Sequence, residues 1–321
     1  MLRYIARRSL WGIVLFFIVS AVTWLIFFVF PSADPIAIRA GRQASPEQIE
    51  QLRQAYGLDR PPIEQFFAYI GNIFQWPPDL GYSYRSNASV LETILDRLPA
   101  TIFLTAGAVV VWLAMGLPTG IISAIKRRSL LDRSTMLTTL ALISAPVFWL
   151  GLVALYLFSQ DVGLIPIFPG IASYQEADSL LGKAFSLVLP WFVLASVSAA
   201  IYARYLRSSM IEVMDEDYIR TARAKGVGER GVIFRHGVRS AITPVVTLLG
   251  LDIGVLLAGN AILTETVFNI QGVGRLVYDS IQRSDLPMIQ GTVLFGAFFI
   301  IVFNLLVDIG YAFLDPRVRY Q

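Results

Sequence analysis

Few side chains in this sequence are of a kind that carries out chemistry. There is one histidine, His236, and no cysteine. Thiolate metal sites, disulfides and motifs that need several histidines are therefore excluded. His236 reads as exposed or hydrogen-bonded within a loop. No glycine-rich loop leads into Lys-Ser or Lys-Thr, so the chain has no Walker-type phosphate cradle of its own. Gly272-Val273-Gly274-Arg275 lacks the strand-then-helix context of a nucleotide site and reads as a turn. Three acids lie in apolar runs or near their ends: Asp252, Glu265 and Asp308. Asp252 is the candidate for ion chemistry. It either lines a water-filled pathway or pairs with a basic residue at the nearer boundary.

Residues 204–243 form the most basic loop, and its pattern is that of two short helices. Asp217 is placed to cap a helix from Tyr218, with Lys225 in the last turn and Gly226 where a left-handed cap is needed. A second helix can run from near Glu229 to about Ser240 before Pro244 opens the next apolar run. Thr221, Ala222 and Ala224 give the first helix a small-residue surface that fits a groove on another protein. The chemistry on offer is docking. A DNA-binding reading fails, because both ends of the hairpin are tethered to apolar runs and Asp215-Glu216-Asp217 would repel phosphate.

The elements that must position this loop are membrane spans. Hydrophobic residues make up 55% of the chain and charged ones 15%, the balance of a membrane protein. Six runs are long enough to cross the hydrocarbon: 10–30, 101–125, 136–158, 185–205, 244–266 and 290–313. The first is too long for the apolar core of a signal peptide and reads as a retained span. Arg3, Arg7, Arg8, the group Lys126 to Arg133, the basic residues of 204–239, and Arg317 and Arg319 fall on one side. The short loops opposite carry only Lys183, Arg275 and Arg283. This bias places both termini in the cytoplasm.

The reading is an all-α polytopic membrane protein with six transmembrane helices. Residues 1–99 supply the first span and a structured outer segment, and residues 100–321 a five-helix core with the loop 204–243. In the outer segment, Ser45-Pro46-Glu47-Gln48 is a capping box that starts a helix stopped at Gly57. Ser89 to Glu92 is another, leading a short helix to Leu98 before Pro99 turns the chain into the membrane. Gly116, Pro118, Pro146, Gly250, Gly254 and Gly259 are helix breakers within spans, and a kink is expected at Pro146. Gly250 and Gly254, with Gly259 and Asn260, mark either packing within the chain or a seam against a second subunit along the pathway.

Across essentially its whole length the chain resembles the inner-membrane permease subunits of ATP-binding-cassette importers for dipeptides and oligopeptides, specifically the member with the long first outer loop. The resemblance rests on the order and spacing of YGLDRP at 56–61, DLGYS at 79–83, RLPAT at 97–101, SAPVFWLG at 144–151, the TARAKG block, VFNIQGVGRL at 267–276 and LDPRVRY near the end. The family's Glu-Ala-Ala signature aligns on Arg220, Thr221 and Ala222 when its glycine is set on Gly226. Only Ala222 and Gly226 match its general form.

The resemblance implies a bacterial or archaeal inner-membrane assembly. Its members would be this chain, a sister permease, two cytoplasmic ATP-binding subunits that hold ATP and Mg, and an extracytoplasmic solute-binding protein. It implies no cofactor on this chain, no nucleic acid, and contact with lipid. The hairpin would couple ATP binding to the spans, with Thr221, Ala222, Lys225 and Gly226 central and Arg220, Arg223 and Glu229 as polar contacts. The rival from another class is an autonomous ion-coupled carrier using Asp252. It should show inverted repeats, and the two sets of three spans share no evident pattern.

Overall fold

Apolar runs of this length have no choice but helix in hydrocarbon, because only a helix satisfies its own backbone. The computed structural model describes residues 2–26, 45–55 and 59–314. In chain order the helices are α1 (Leu2–Trp24), α2 (Pro46–Ala55), α3 (Pro62–Phe74), α4 (Val90–Ile125), α5 (Leu130–Ser144), α6 (Val147–Phe158), α7 (Ser173–Glu176), α8 (Leu180–Met214) and α9 (Asp217–Ala224). Three joined pieces follow: α10 (Glu229–Gly231), a π stretch Val232–Val238 and α11 (Arg239–Ala241). Then come α12 (Thr243–Val255), a second π stretch Leu256–Asn260, α13 (Ile262–Val267), α14 (Val273–Gln282) and α15 (Leu286–Leu314). Among the described residues there is no strand, only two isolated bridges.

Among the described residues, five helical stretches are long and apolar enough to cross a membrane: Ile5–Trp24, Val90–Ile125, Leu180–Met214, Thr243–Asn260 and Leu286–Gly310. A sixth span exists if α5 and α6 count as one, and they meet at 104°. The expected kink at Pro146 is thus a full change of direction. Proline disfavours the helical conformation at the residue before it, and Ala145 sits at φ −86°, ψ 130°. Pro146 itself is extended at ψ 136°, and two extended residues in a row redirect the axis.

The chain divides into two compact units. One comprises Ile102–Ile253 and Leu263–Ile270. Here α4 and α8 pack through glycine: a Cβ at Gly116 would lie 2.9 Å from the Ala199 carbonyl oxygen, and one at Gly120 2.7 Å from that of Ala203. Gly107 is covered by Trp191, whose indole N–H donates to the Phe103 carbonyl at 3.1 Å. Gly116 and Pro118 therefore do not break the helix, contrary to expectation. Gly116 lets two backbones touch, and α4 continues unbroken through both.

Charge is buried where α4, α5 and α8 come together. The Asp132 carboxylate receives a bidentate pair from Arg207, at 2.7 and 2.9 Å. The Ser123 hydroxyl and the Arg128 backbone N–H also donate to it. Its own N–H is capped by Ser129. With four donors on two oxygens, this carboxylate is fully satisfied although its side chain is only 5% exposed.

The other unit comprises Met1–Thr101, Gly254–Ile262 and Gln271–Gln321. Gly12 admits Ile301 between α1 and α15, and Arg8 pairs with Asp308 at 3.1 Å. Phe66 and Phe74 of α3 lie against Phe16, Phe17 and Trp24 of α1. The Ser45–Gln48 capping box forms as expected, each side chain bonding the other's backbone N–H. The stop at Gly57, residues 27–30 of the first expected span and the tail carrying Arg317 and Arg319 lie outside the described residues.

Two expectations in this unit need correction. Ser89 does cap Glu92, but the helix does not end near Leu98. Pro99 lies inside α4, because one missing donor does not stop a helix whose neighbours are strongly apolar. Gly272 to Arg275 is not a turn: Gly272 caps α14 and Gly274 lies within it. A Cβ on Gly274 would stand 2.5 Å from the Gly259 carbonyl oxygen. Gly259 holds the break between the π stretch and α13, at φ +99°, where only glycine is relaxed. Gly254 packs on Phe303, 2.7 Å from a built Cβ, so it belongs to packing within the chain. Gly250 is half-buried within α12 and Asn260 is exposed.

Replacing Asp132 by Ala should leave the Arg207 guanidinium uncompensated and destabilise the protein by about 3–5 kcal/mol. The double replacement Asp132→Leu, Arg207→Met should cost clearly less. Denaturation midpoints in detergent, followed by tryptophan fluorescence, would measure both.

Candidate functional site

The hairpin between α8 and α12 is built from the sequence inward. α8 ends at Met214 with Asp215 as its cap, the chain turns through Glu216, and α9 begins at Asp217. Asp217 is therefore the first helical residue and not the cap: its carboxylate meets Arg220 at 3.3 Å, and its carbonyl accepts from the Thr221 hydroxyl. Glu216 occupies the cap position without a side-chain bond. At the other end the expected left-handed glycine is present, with Gly226 at φ +78°. The Gly226 N–H donates to the Arg223 carbonyl and the Val227 N–H to that of Ala222. These paired bonds are the Schellman closure, which satisfies carbonyls a helix end would leave open.

Four apolar side chains fasten the hairpin to the rest of the chain. Ile219, Ala222 and Val232 are buried together with Met214 packed against them. Gly237, in the π stretch, lets Met214 approach to 2.8 Å of a built Cβ. The second helix was expected as a regular α-helix from Glu229 to about Ser240. Its extent is as expected, but its middle is a π stretch. A salt bridge clips the two helices together: Arg223 holds Glu229 through both oxygens, at 2.8 and 3.2 Å. The hydrogen-bonded Arg223 guanidinium keeps the Glu229 carboxyl below its usual range, and Glu229 in turn raises Arg223. The clip is therefore fully ionised at neutral pH. Arg127 and Asp215, 3.8 Å apart, border a cleft of about 230 Å³ beneath it.

The expected contact residues separate into two sets. Ala222 faces inward and is 9% exposed, so it anchors the hairpin and cannot touch a partner. Its i, i+3 spacing from Ile219 was the signal for that. Arg223 and Glu229 are spent on each other. Arg220, Thr221, Lys225 and Gly226 are exposed, together with Tyr218 and Ala224. Tyr218, Thr221 and Lys225 lie at i, i+3 and i+7 and so share one outward face of α9.

Among the described residues Asp252 pairs with no basic side chain. It accepts from the Tyr202 hydroxyl at 2.7 Å, so the boundary ion pair weighed from sequence is replaced by a neutral donor. Glu265 is fully buried, and Asp308 is held by Arg8. Tyr202 was not singled out from sequence. A tyrosine in an apolar run gives no hint of its partner fifty residues on.

Ala222→Glu should loosen the hairpin by forcing a carboxylate among Ile219, Val232 and Met214, and Thr221→Glu should leave it intact. Limited trypsin digestion at Lys225 reads the difference: faster cleavage in the first variant only. Equal cleavage would contradict the inward placement of Ala222.

Two family models cover almost the whole chain. Residues 116–320 match the binding-protein-dependent transport system inner membrane component, and residues 1–105 the N-terminal membrane component of the same systems. The glutathione transport system permease protein GsiC of Escherichia coli is 40% identical over 321 residues, covering 100% of both chains. A Brucella abortus protein provisionally named a peptide transport system permease protein is 39% identical over 317 residues, 99% of each chain. With helices, hairpin and full-length similarity all in agreement, the chain belongs to the family of binding-protein-dependent transport system inner membrane components, the permease subunits of ABC importers.

Proposed function

We propose that this permease forms half of the pathway of an ATP-driven importer for peptides and peptide-like solutes such as glutathione, and that the α9 hairpin is where its ATPases act. The observation that carries the coupling role is the division of the hairpin into an anchored inner face and an exposed outer one. The relatives named above support the solute class. A sister permease would complete the pathway, two cytoplasmic subunits would bind and hydrolyse ATP with Mg, and an extracytoplasmic protein would deliver the solute. The distribution of basic residues supports cytoplasmic termini.

In this reading ATP binding draws the two ATPases together and moves α9 with them. The motion reaches the membrane because α9 continues α8 through two residues, and the π stretch continues through α11 into α12. Coupling requires contacts that differ between the ATPase states. A hairpin closed by the Schellman bonds, the apolar anchor and the Arg223–Glu229 clip transmits such a difference without absorbing it. The chain supplies no ATP chemistry of its own. The carrier alternative is not favoured, since the relatives named above are permease subunits and Asp252 is bonded to a phenol.

ATP-driven uptake in vesicles tests this. Thr221→Glu should cut uptake at least about 10-fold by placing charge on the outward face, a cost of roughly 1.4 kcal/mol in coupling. Gly226→Val should do the same through strain of about 1–3 kcal/mol at its positive φ. Normal uptake by both would remove the hairpin from the mechanism. Asp252→Asn keeps an acceptor for Tyr202, and its uptake should stay within about twofold of the parent at every pH. A shifted pH dependence would restore the carrier.

A further inference from the structure

One polar pocket of about 410 Å³ takes no part in the hairpin. It lies wholly within the unit that contains α1, α14 and α15. Four guanidinium groups line it, from three stretches of chain: Arg85 before α4, Arg97 in α4, and Arg275 and Arg283 along α14 and just after it. Two carboxylates lie among them, and both are engaged. Asp285 accepts from the Ser83 hydroxyl and, at 3.1 Å, from the Tyr84 N–H. Asp279 stands 3.7 Å from Arg275.

Arg85 and Arg97 are held in place by groups that do not neutralise them. Arg97 donates to the Gln271 side-chain oxygen, and Arg85 donates from Nε to the Arg283 carbonyl at 2.9 Å. No carboxylate of the described residues pairs with Arg85, Arg97 or Arg283. The pocket thus holds two more guanidinium groups than carboxylates. Leu276 and Met288, both buried, form part of its lining, and apolar walls strengthen the field there.

Topology does not explain this concentration. On the proposed orientation the sequence places nine basic residues outside the membrane, and four of them meet in this one pocket. Guanidinium forks match the geometry of carboxylates, which they bind through paired hydrogen bonds.

We propose that this pocket binds the carboxylate of the solute at the outer mouth of the permease. The proposal rests on the import reading above and gives it a recognition chemistry. A concave site of this volume falls within the range of small-molecule pockets, which favours a solute over the surface of a protein partner. Peptides end in a carboxylate, and glutathione carries two.

The test uses the full chain purified with whatever subunits accompany it. The probes are trialanine and trialaninamide, which differ only in the terminal carboxylate. Saturation-transfer NMR should show trialanine binding at least about 10-fold tighter than the amide, the value of one charge-assisted contact. The preference should vanish in the Arg97→Gln, Arg283→Gln double variant at an unchanged melting midpoint. Equal binding of the two probes, or a preference that survives in the variant, overturns the pocket. So does a variant that keeps the preference but no longer captures the binding protein, which would make the surface a docking site. If no peptide is taken up with ATP by the unaltered assembly, the import reading itself fails.

Discussion

Hydrocarbon offers no hydrogen-bond partners, and this one constraint decides where the chain is allowed to depart from helix. Every departure within the apolar runs comes with its own repair. At Pro146 the Ala145 N–H bonds back to the Ala141 and Leu142 carbonyls. At Gly259 the chain passes through a left-handed residue, and the Ala261 N–H closes onto the Gly259 carbonyl. The backbone of α14 is brought against that break by Gly274. Where two helices must approach closely, glycines remove the side chains that would hold them apart. The breaks are thus not weak points but places where local bonding has been arranged in advance.

The same economy governs charge. Asp132 and Arg207 sit where three helices of one unit meet, and both carboxylate oxygens receive a guanidinium N–H. Near the hairpin, charges form short local pairs, Arg223 with Glu229 and Arg220 with Asp217. The hairpin is therefore stiff inside and polar outside. In the proposed coupling role, stiffness of this kind would convert a push on α9 into displacement of α8 and α12, since a loop that bent under load would dissipate it.

Much of this was legible in the residues and some was not. Periodicity, capping boxes and hydropathy located the long helices, because those signals are local and strong. Gly226 announced its left-handed cap. Ala222 was legible only in part: a small residue on a short helix suits a groove on a partner and a tight seat in its own core equally well. The Ile219 side chain three residues earlier decided for the core. Pro99 and Gly116 misled because breaker residues act through a local energy that a long apolar span overrides. Gly274 could not be read correctly, since its reason is the backbone of Gly259, fifteen residues away. The arginine pocket was likewise invisible, as its members come from stretches almost two hundred residues apart.

The division of the hairpin also bears on how such systems stay separate within one cell. Its fold depends on Ile219, Ala222, Gly226, Val232 and the Arg223–Glu229 clip, none of which needs a partner. The outward positions Tyr218, Arg220, Thr221 and Lys225 bear none of that burden. If the proposed docking holds, they are free to drift together with the groove that would receive them, so related importers could diverge into mutually exclusive pairings without refolding anything. A handful of surface substitutions would then redirect this permease to a different motor.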